Sequence, residues 1–200
     1  MKAKYRLWWW KIKRQPFVSI GIVGINLLIF LLCIIFPWFY EKGYCGIHNI
    51  LYEKEYTKVI WSMFFHSDAR HIFNNMIIVL FLGSILESQV GHLLYGVVYF
   101  ISGIGANLFS LAVKWFQQDW AVSIGASGAV FGLDGLLLAM VLLMRDRIEL
   151  DIGRVIFVVF LSLYSGFSQI GIDNAAHVGG LFGGFLLGMP ICLYLRKKHS

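Results

Sequence analysis

Long runs of apolar residues, separated by shorter polar stretches, set the pattern of this 200-residue chain. A helix of about 20 apolar residues spans the hydrocarbon core of a bilayer. Helices are expected because backbone polar groups in lipid must pair internally, and these runs are continuous where barrel strands would alternate. The pattern predicts six membrane-spanning helices, over residues 17–36, 71–86, 93–113, 126–144, 155–167 and 175–195.

The runs and their connections predict an all-α membrane protein, one compact bundle of six transmembrane helices that forms a single domain over residues 1–200. Residues 1–16 would be a basic cytoplasmic amino terminus. Residues 37–70 would be an outer loop whose aromatic content favours partial burial in the interface over full solvation. The uncharged residues 120–124 precede a run that is longer than one crossing needs, which predicts a re-entrant loop leading into a short fourth helix.

Composition places the chain in a bilayer, and charge gives its orientation. Hydrophobic residues make up 58% of the chain and charged residues 14%, with a mean hydropathy of +0.72, far from the averages of soluble proteins. Of the 17 Lys and Arg residues, twelve lie before the first run, between the fourth and fifth, or after the last. Since cytoplasmic segments carry the excess of Lys and Arg, both termini are predicted to be cytoplasmic in a multi-pass protein of the cell membrane. Membrane lipid is an expected partner, and nucleic acid is not, because the basic residues form no single patch.

Ser127 and His177 are the candidate catalytic residues. Ser127 lies in the string GASGAVFG at 125–132, and His177 lies in AAHVGG at 175–180. Alone, a serine in an apolar helix usually packs against a neighbour, and a histidine is usually a satisfied core group. Here both residues open runs that cross the bilayer in the same direction, so they can meet near the outer face. A serine nucleophile beside a histidine general base is the arrangement that covalent acyl transfer requires, which predicts a serine protease inside the membrane.

An oxyanion site is predicted beside Ser127. The first backbone amides of a helix have no intrahelical acceptor and the helix dipole is positive there, so the Ser127 backbone amide can face an oxyanion. His71 and Asn75 are spaced i, i+4, which places them on one helical face. Because asparagine side chains commonly donate to oxyanions, this pair is expected to complete the site, in a pocket that opens to the outer side.

Aromatic and small residues support the approach of the two candidate residues. Phe131 is i+4 from Ser127, so its ring could pack on His177, although ordinary core packing explains it equally well. Glycines spaced four apart let helix backbones approach closely, a weak signal that gains weight because it lies one turn below each candidate. These pairs are Gly128 with Gly132 and Gly180 with Gly184.

Four motifs follow one another along the chain: His71-Ile-Phe-Asn-Asn75, Gly83-Ser-Ile-Leu-Glu87, Gly125-Ala-Ser127-Gly and Ala176-His177-Val-Gly-Gly. Their order and spacing resemble those of rhomboid intramembrane serine proteases of the basic six-helix bacterial type, over essentially the whole chain. The resemblance implies a Ser127 and His177 dyad without a required carboxylate, and an oxyanion site near His71 and Asn75. It also implies cleavage of transmembrane substrates near their outer ends, with the fifth run and residues 165–174 gating access.

Transmembrane helices of substrate proteins are then the expected partners, with no cofactor and no metal. One departure from the resemblance is visible in the first outer loop. Many relatives carry Trp-Arg where Tyr56-Thr57-Lys58 stands here, which affects the inferred packing of the loop and leaves the dyad untouched.

Other functions were weighed against the serine protease. An aspartyl intramembrane protease would need a second membrane aspartate besides Asp134, and every other Asp lies at a run boundary or in a loop. A metalloprotease is disfavoured because the sequence contains no HExxH motif and its six histidines are scattered. The remaining alternative is a non-catalytic rhomboid-like binder or transporter of transmembrane segments, which the loss of Ser127 or His177 would have favoured.

Three acidic residues are predicted to be structural. Asp134, within an apolar run, would be buried and protonated and would join helices through a hydrogen bond to a neighbour. Asp173 would cap the last helix, because a carboxylate at a helix start accepts from free backbone amides. Glu87 would cap a helix end or pair with cytoplasmic groups, across the bilayer from the catalytic candidates.

Overall fold

The computed structural model describes residues 15–144 and 172–198, together with positions 153, 157, 160–162 and 164. Its elements in chain order are the helices α1 (Phe17–Ile35), α2 (Ile47–Leu51), α3 (Lys58–Trp61), α4 (Ala69–Val90), α5 (His92–Gln117), α6 (Ser127–Leu143) and α7 (Asn174–Lys198), with 3₁₀ helices at Pro37–Gly43 and Ser62–Phe64. These ranges contain no strand, and one antiparallel bridge pairs Cys45 with Ser123.

Four of the described helices, α1, α4, α5 and α7, are long and apolar enough to cross a membrane, with 19, 22, 26 and 25 residues. The apolar helix α6 is shorter, with 17 residues. These helices confirm the prediction of an all-helical membrane protein. The helices α4 and α5 continue for about one turn beyond their predicted ends, because the polar residues Glu87 and Lys114 are buried and find partners there.

Several predicted segments fall outside the part of the chain that the structure describes. The fifth run, residues 155–167, is described only at positions 157, 160–162 and 164, all of which are helical. Most of the predicted gate, residues 165–171, and most of the basic amino terminus, residues 1–14, lie outside the described residues. The count of six helices and the single domain over the whole chain stay predictions.

The short helix α6 lies at the centre of the bundle. It packs most extensively against α7 and also contacts α5 and α4. A helix that is apolar on all sides belongs in a core, and four of its large side chains are at most 1% exposed: Leu133, Leu136, Leu137 and Met140. The first helix, α1, in contrast leaves an apolar face exposed, as expected for a helix that borders lipid.

Glycines allow α6 and α7 to touch backbone to backbone. A Cβ atom added at Gly180 would lie 2.0 Å from the carbonyl oxygen of Gly128, and one at Gly184 would lie 1.8 Å from the carbonyl oxygen of Gly132. Real Cβ atoms essentially never come within 3.0 Å of such a neighbour. The close approach predicted from the glycine spacing is therefore present, and a side chain at either position on α7 would force the helices apart.

Glu87 joins the carboxyl-terminal end of α4 to the start of α1. Its carboxylate oxygens accept hydrogen bonds from the backbone amides of Val18 and Ser19 at 2.8 and 3.0 Å, and from the Ser19 hydroxyl at 2.7 Å. His92 Nδ1 lies 2.5 Å from the same carboxylate. Because Val18 and Ser19 belong to the first turn of α1, Glu87 satisfies amides that have no intrahelical acceptor. The prediction that Glu87 caps a helix end is confirmed.

The loop of residues 37–70 packs one side against the bundle and exposes the other. Cys45 and Phe65 are each 1% exposed, whereas Trp38 is 64% and Tyr56 63% exposed. At the position where the sequence departs from Trp-Arg, Lys58 begins α3 and forms an ion pair with Glu55 at 2.7 Å. The exposed aromatic side chains suit the membrane interface, where amphipathic rings are favoured.

Candidate active site

Ser127 is the first residue of α6, at the end of a connection from α5 that is fastened along its length. Ser123 pairs with Cys45 through two backbone hydrogen bonds, of 3.0 and 2.7 Å. The Gly125 amide donates to the carbonyl oxygen of Ser62 at 2.9 Å. These bonds hold the four residues before Ser127 against the outer loop, so the start of α6 has a defined position.

Gly125 lets the side chains of His71 and Asn75, on α4, lie against this segment. Its φ of +124° lies in the region that L side chains rarely adopt. A Cβ atom there would lie 2.7 Å from His71 Nε2 and 3.8 Å from Asn75 Nδ2. A glycine at position 125 therefore allows both the backbone turn and the close contact with the His71 ring. The side chains of His71 and Asn75 lie beside Gly125, which is two residues before Ser127 in the sequence.

His177 lies in the first turn of α7 and is 2% exposed. The Phe131 ring stacks on its imidazole, with ring centroids 4.3 Å apart and an angle of 7° between the planes. The packing predicted from the i, i+4 spacing of Ser127 and Phe131 is confirmed. Since this stack fixes the plane of the imidazole, it also limits which way the ring nitrogens can point.

The residues that adjoin Ser127 contact those that adjoin His177. A Cβ atom at Gly128 would lie 3.7 Å from the carbonyl oxygen of Ala176, an ordinary van der Waals distance. One turn farther along α7, the Gly128 carbonyl oxygen faces Gly180. The structure thus brings the starts of α6 and α7 together, as the sequence predicts for the two catalytic candidates.

The hydrogen bonds of His71 determine which of its nitrogens carries the proton. Asp68 Oδ1 accepts from the His71 amide at 2.9 Å, and this bond lowers the pKa of Asp68, so its carboxyl group is ionised. Ser67 Oγ lies 2.8 Å from Asp68 Oδ2 and 3.0 Å from His71 Nδ1. Because an ionised carboxylate can only accept, Ser67 donates to Asp68 and accepts from His71 Nδ1. In a neutral ring, His71 Nε2, which faces Gly125, is then an acceptor.

Asn75 presents a donor to the same place. The side chain is buried at 5% exposure, and its Nδ2 finds no acceptor among the described residues. A buried amide donor without a partner costs free energy. Such a group suits a site in which an acceptor arrives with the substrate.

His66 was missed by the sequence analysis. It is 1% exposed, and its Nε2 accepts a hydrogen bond from the Ala126 amide at 3.4 Å. Its ring lies edge-on to His71, with centroids 4.9 Å apart. Burial, together with repulsion from His71 when that ring is protonated, lowers the pKa of His66 to about 3, which keeps Nε2 free to accept. Its place in a loop, outside any helical pattern, gave no signal in the sequence.

Asp134 lies two turns below Ser127 and is 4% exposed. The buried Ser162 hydroxyl is its polar neighbour. Neither oxygen of the Asp134 carboxyl forms a hydrogen bond of normal geometry with another described residue. The prediction of burial is confirmed, and the Ser162 hydroxyl, close enough to act on the carboxyl as a hydrogen-bond donor, is the neighbour through which Asp134 would join helices.

No group of three or more His, Cys, Asp and Glu side chains that could hold a metal ion occurs in the described part of the chain. The polar groups around Ser127 are instead donors and acceptors suited to acyl transfer: a hydroxyl, an imidazole, an amide side chain and helix-start backbone amides.

Comparison with known proteins bears on the whole of this site. The family model of the rhomboid domain matches residues 53–194, a range that contains Ser127, His177, His71 and Asn75. RHOMBOID-like protein 7 of Arabidopsis thaliana is 32% identical over 156 residues, which cover 77% of this chain and 49% of that protein.

Two relatives are named as proteases. Rhomboid-like protease 3 of Toxoplasma gondii is 30% identical over 145 residues, covering 70% of this chain and 52% of that protein. Rhomboid protease GluP of Bacillus subtilis is 29% identical over 148 residues, covering 72% of this chain and 28% of that protein. This chain spans about half the length of the plant and Toxoplasma relatives, and a smaller share of the Bacillus one.

Proposed function

Since this chain belongs to the rhomboid family, we propose that it is an intramembrane serine endopeptidase that cleaves transmembrane protein substrates near the outer membrane face. One relative is named as a rhomboid protease and another as a rhomboid-like protease, which supports this activity at the level of the family. The observation that carries the proposal is the meeting of the two helix starts, with the Phe131 ring stacked on His177 and Gly128 against Ala176.

The proposed reaction uses Ser127 as nucleophile and His177 as general base. His177 takes the proton from Ser127 Oγ, which attacks the carbonyl carbon of the scissile peptide bond and forms a tetrahedral oxyanion. When this intermediate collapses, the carbon–nitrogen bond breaks and His177 gives its proton to the leaving amine. Water, deprotonated by His177, then attacks the acyl-enzyme ester, the bond between the acyl carbon and Ser127 Oγ breaks, and His177 returns its proton to Ser127 Oγ.

The oxyanion would be held by the Asn75 side chain and the Ser127 backbone amide. Asn75 Nδ2 is a buried donor beside Gly125, and the Ser127 amide begins α6, where the helix dipole favours negative charge. His71 contributes a hydrogen bond from Nε2 only as an imidazolium, because its Nδ1 already holds the proton of the neutral ring. This assignment makes Asn75 the main side-chain donor.

The site is proposed to lie within the membrane and to open outward. At about 1.5 Å per residue, α6 is about 25 Å long, shorter than the hydrocarbon core of about 30 Å. If α6 ends at the cytoplasmic face, Ser127 lies below the outer surface and the segment before it is re-entrant. Six transmembrane helices in the cell membrane with both termini cytoplasmic, and transmembrane substrate helices and lipid as partners, complete the proposal.

A cleavage assay tests the proposed function. The protein is reconstituted in liposomes with a reporter substrate that contains one transmembrane helix, and the Ser127→Ala variant is compared with wild type. Ser84→Ala is the matched control, because Ser84 is an exposed serine on α4 whose hydroxyl bonds to the backbone of Phe81 and to no other described residue.

We expect no cleavage by Ser127→Ala, and cleavage by Ser84→Ala at the wild-type rate. Binding of the reporter helix without cleavage by folded wild-type protein would instead support a non-catalytic binder or transporter. Cleavage by Ser127→Ala at the wild-type rate would remove Ser127 from the mechanism.

A further inference from the structure

A buried ion pair lies next to the candidate active site and has no part in the proposed reaction. Lys114 Nζ, in the last turn of α5, is 3.0 Å from Asp173 Oδ2, just before α7. The two side chains are 8% and 15% exposed. Burying two charges is costly, so such a pair is weak evidence for added stability. The segments that this ion pair connects are therefore more informative than the presence of the pair.

Both oxygens of the Asp173 carboxylate have partners. Oδ1 accepts from the Ala176 amide at 3.0 Å, which confirms the predicted helix cap. Oδ2 accepts from the hydroxyls of Ser110 and Ser123 in addition to the Lys114 ammonium. Burial alone would raise the pKa of Asp173, but these hydrogen bonds and the charge of Lys114 lower it to about 2. The carboxylate is therefore ionised and fully hydrogen-bonded at neutral pH.

The cluster of Ser110, Lys114, Ser123 and Asp173 spans three segments of the fold. Ser123 lies four residues before Ser127, and Asp173 lies four residues before His177. Lys114 and Ser110 come from α5, which packs against both α6 and α7. Lys114 Nζ also donates to Ser123 Oγ at 2.5 Å. The cluster thus joins the segment that leads to the nucleophile with the segment that leads to the general base.

Outside this cluster, the segment before α6 and the segment before α7 are held by different contacts. The backbone of Ser123 is fixed to Cys45 by hydrogen bonds in both directions. At the start of α7, the hydrogen bonds of Asp173 to other described segments all go to the cluster, while Ala176 and His177 pack against α6. Loss of the cluster would therefore release the start of α7 more than the loop before α6.

We propose that Lys114 and Asp173 are positioning residues that, through Ser123, set the separation of the Ser127 hydroxyl and the His177 imidazole. This inference rests on the proposed protease function. The two residues touch neither substrate nor the reacting atoms. They act on the rate of the chemical step by holding the start of α7 in register with the start of α6.

The test compares Asp173→Asn and Lys114→Met with wild type in the liposome cleavage assay. Asparagine keeps the shape of Asp173 and an acceptor for the Ala176 amide while it removes the charge. The matched control is Glu55→Gln, which breaks the ion pair with Lys58 at 2.7 Å in the same outer region but away from both catalytic segments. Because a misplacement of about 1 Å can cost about 10²-fold in rate, we expect kcat to fall about 10- to 100-fold in each variant.

Three further readouts separate positioning from general structural support. KM should stay within about twofold of wild type, because substrate binding is not the step that the cluster serves. The rate at which a fluorophosphonate labels Ser127 should fall in proportion to kcat. The double variant should be no slower than the slower single variant, because the two residues act as one unit. Ser123→Ala, which leaves no unpaired charge, should show a smaller loss of kcat and is the deciding variant if Asp173→Asn does not fold.

Three results would each overturn the inference. They are a wild-type kcat in folded Asp173→Asn, a rise in KM with kcat unchanged, and losses of kcat that multiply in the double variant. In that event an inactive Ser127→Ala would leave the protease function standing. Wild-type activity in Ser127→Ala would instead remove the function itself, and the positioning role with it.

Discussion

Gly184→Ala is the substitution whose effect the structure determines most directly. The added Cβ atom would lie 1.8 Å from the carbonyl oxygen of Gly132 and 2.7 Å from its Cα. An ordinary contact begins at 3.4 Å, so α6 and α7 must separate locally by about 1.6 Å. The obstructing atoms belong to the backbone of a buried helix and not to a flexible side chain. The clash can therefore be relieved only by moving a helix.

The size of the effect follows from that displacement. Overpacking of this kind typically costs about 1–3 kcal/mol of folding free energy. His177 lies on the same helix, two turns toward the amino terminus, so a shift of α7 moves it relative to Ser127. Since about 1 Å of misplacement can cost about 10²-fold in rate, we expect cleavage to fall by about that factor and the unfolding temperature to drop by several degrees.

Gly183→Ala is the matched control. It lies one residue away on the same helix, and its added Cβ atom would meet only Ser102, at 3.8 Å, an ordinary contact. Because alanine in a helix is favoured over glycine by roughly 0.5–1 kcal/mol, this variant should be as stable as wild type or slightly more so, with unchanged cleavage. Cleavage rates in liposomes and thermal unfolding in detergent would be measured together. If Gly184→Ala matched Gly183→Ala in both, backbone contact between α6 and α7 would not be what holds the proposed dyad.

His177→Ala should be as inactive in reporter cleavage as Ser127→Ala, with the double variant no slower than either, because members of one catalytic unit act non-additively. In steady-state kinetics, Asn75→Ala should lower kcat by about 10²-fold or more, with KM little changed, whereas His71→Ala should cost less than about tenfold at neutral pH, because its neutral ring offers no donor. The folded pKa of His66, about 3, lies below its ordinary value of 6.5, so the unfolded chain binds the proton first. The His66 contribution to stability should be complete above pH 6.5 and decline toward about pH 3, so the free energy of unfolding of wild type should fall more steeply over that window than that of His66→Gln.

Each of these expectations has an opposite result that would refute it. Independent, multiplying losses for His177 and Ser127 would mean that they do not form a dyad. Equal losses of kcat for Asn75→Ala and His71→Ala would show that His71 donates as strongly as Asn75. A rise in KM at unchanged kcat in both variants would mean that the pair binds the substrate and does not stabilise the oxyanion. Parallel pH profiles for wild type and His66→Gln would mean that His66 titrates alike in the folded and unfolded protein.

The membrane helices could be predicted from the sequence because long apolar runs carry their own signal. Ends of α4 and α5 were less predictable, since Glu87 and Lys114 look like helix terminators until their buried partners are known. The stack of Phe131 on His177 could be predicted in part from the sequence, because the i, i+4 spacing that places Phe131 beside Ser127 is local.

Interactions between segments that are distant in the sequence could not be predicted from it. Lys114 and Asp173 lie 59 residues apart, and no local pattern marks their pairing. Likewise the fit of the His71 ring against Gly125 depends on a positive φ that glycine permits but does not require.

In the proposed mechanism, Ser127 is a nucleophile activated by His177. The most direct measurement is mass-spectrometric mapping of the adduct formed when the folded protein reacts with a fluorophosphonate in detergent. We expect one adduct, on Ser127, formed by wild type and Ser84→Ala and lost in His177→Ala, with loss of cleavage in proportion to labelling. Folded wild-type protein that cleaves its substrate but carries no adduct on Ser127, or labelling of Ser127 at an unchanged rate in His177→Ala, would contradict it.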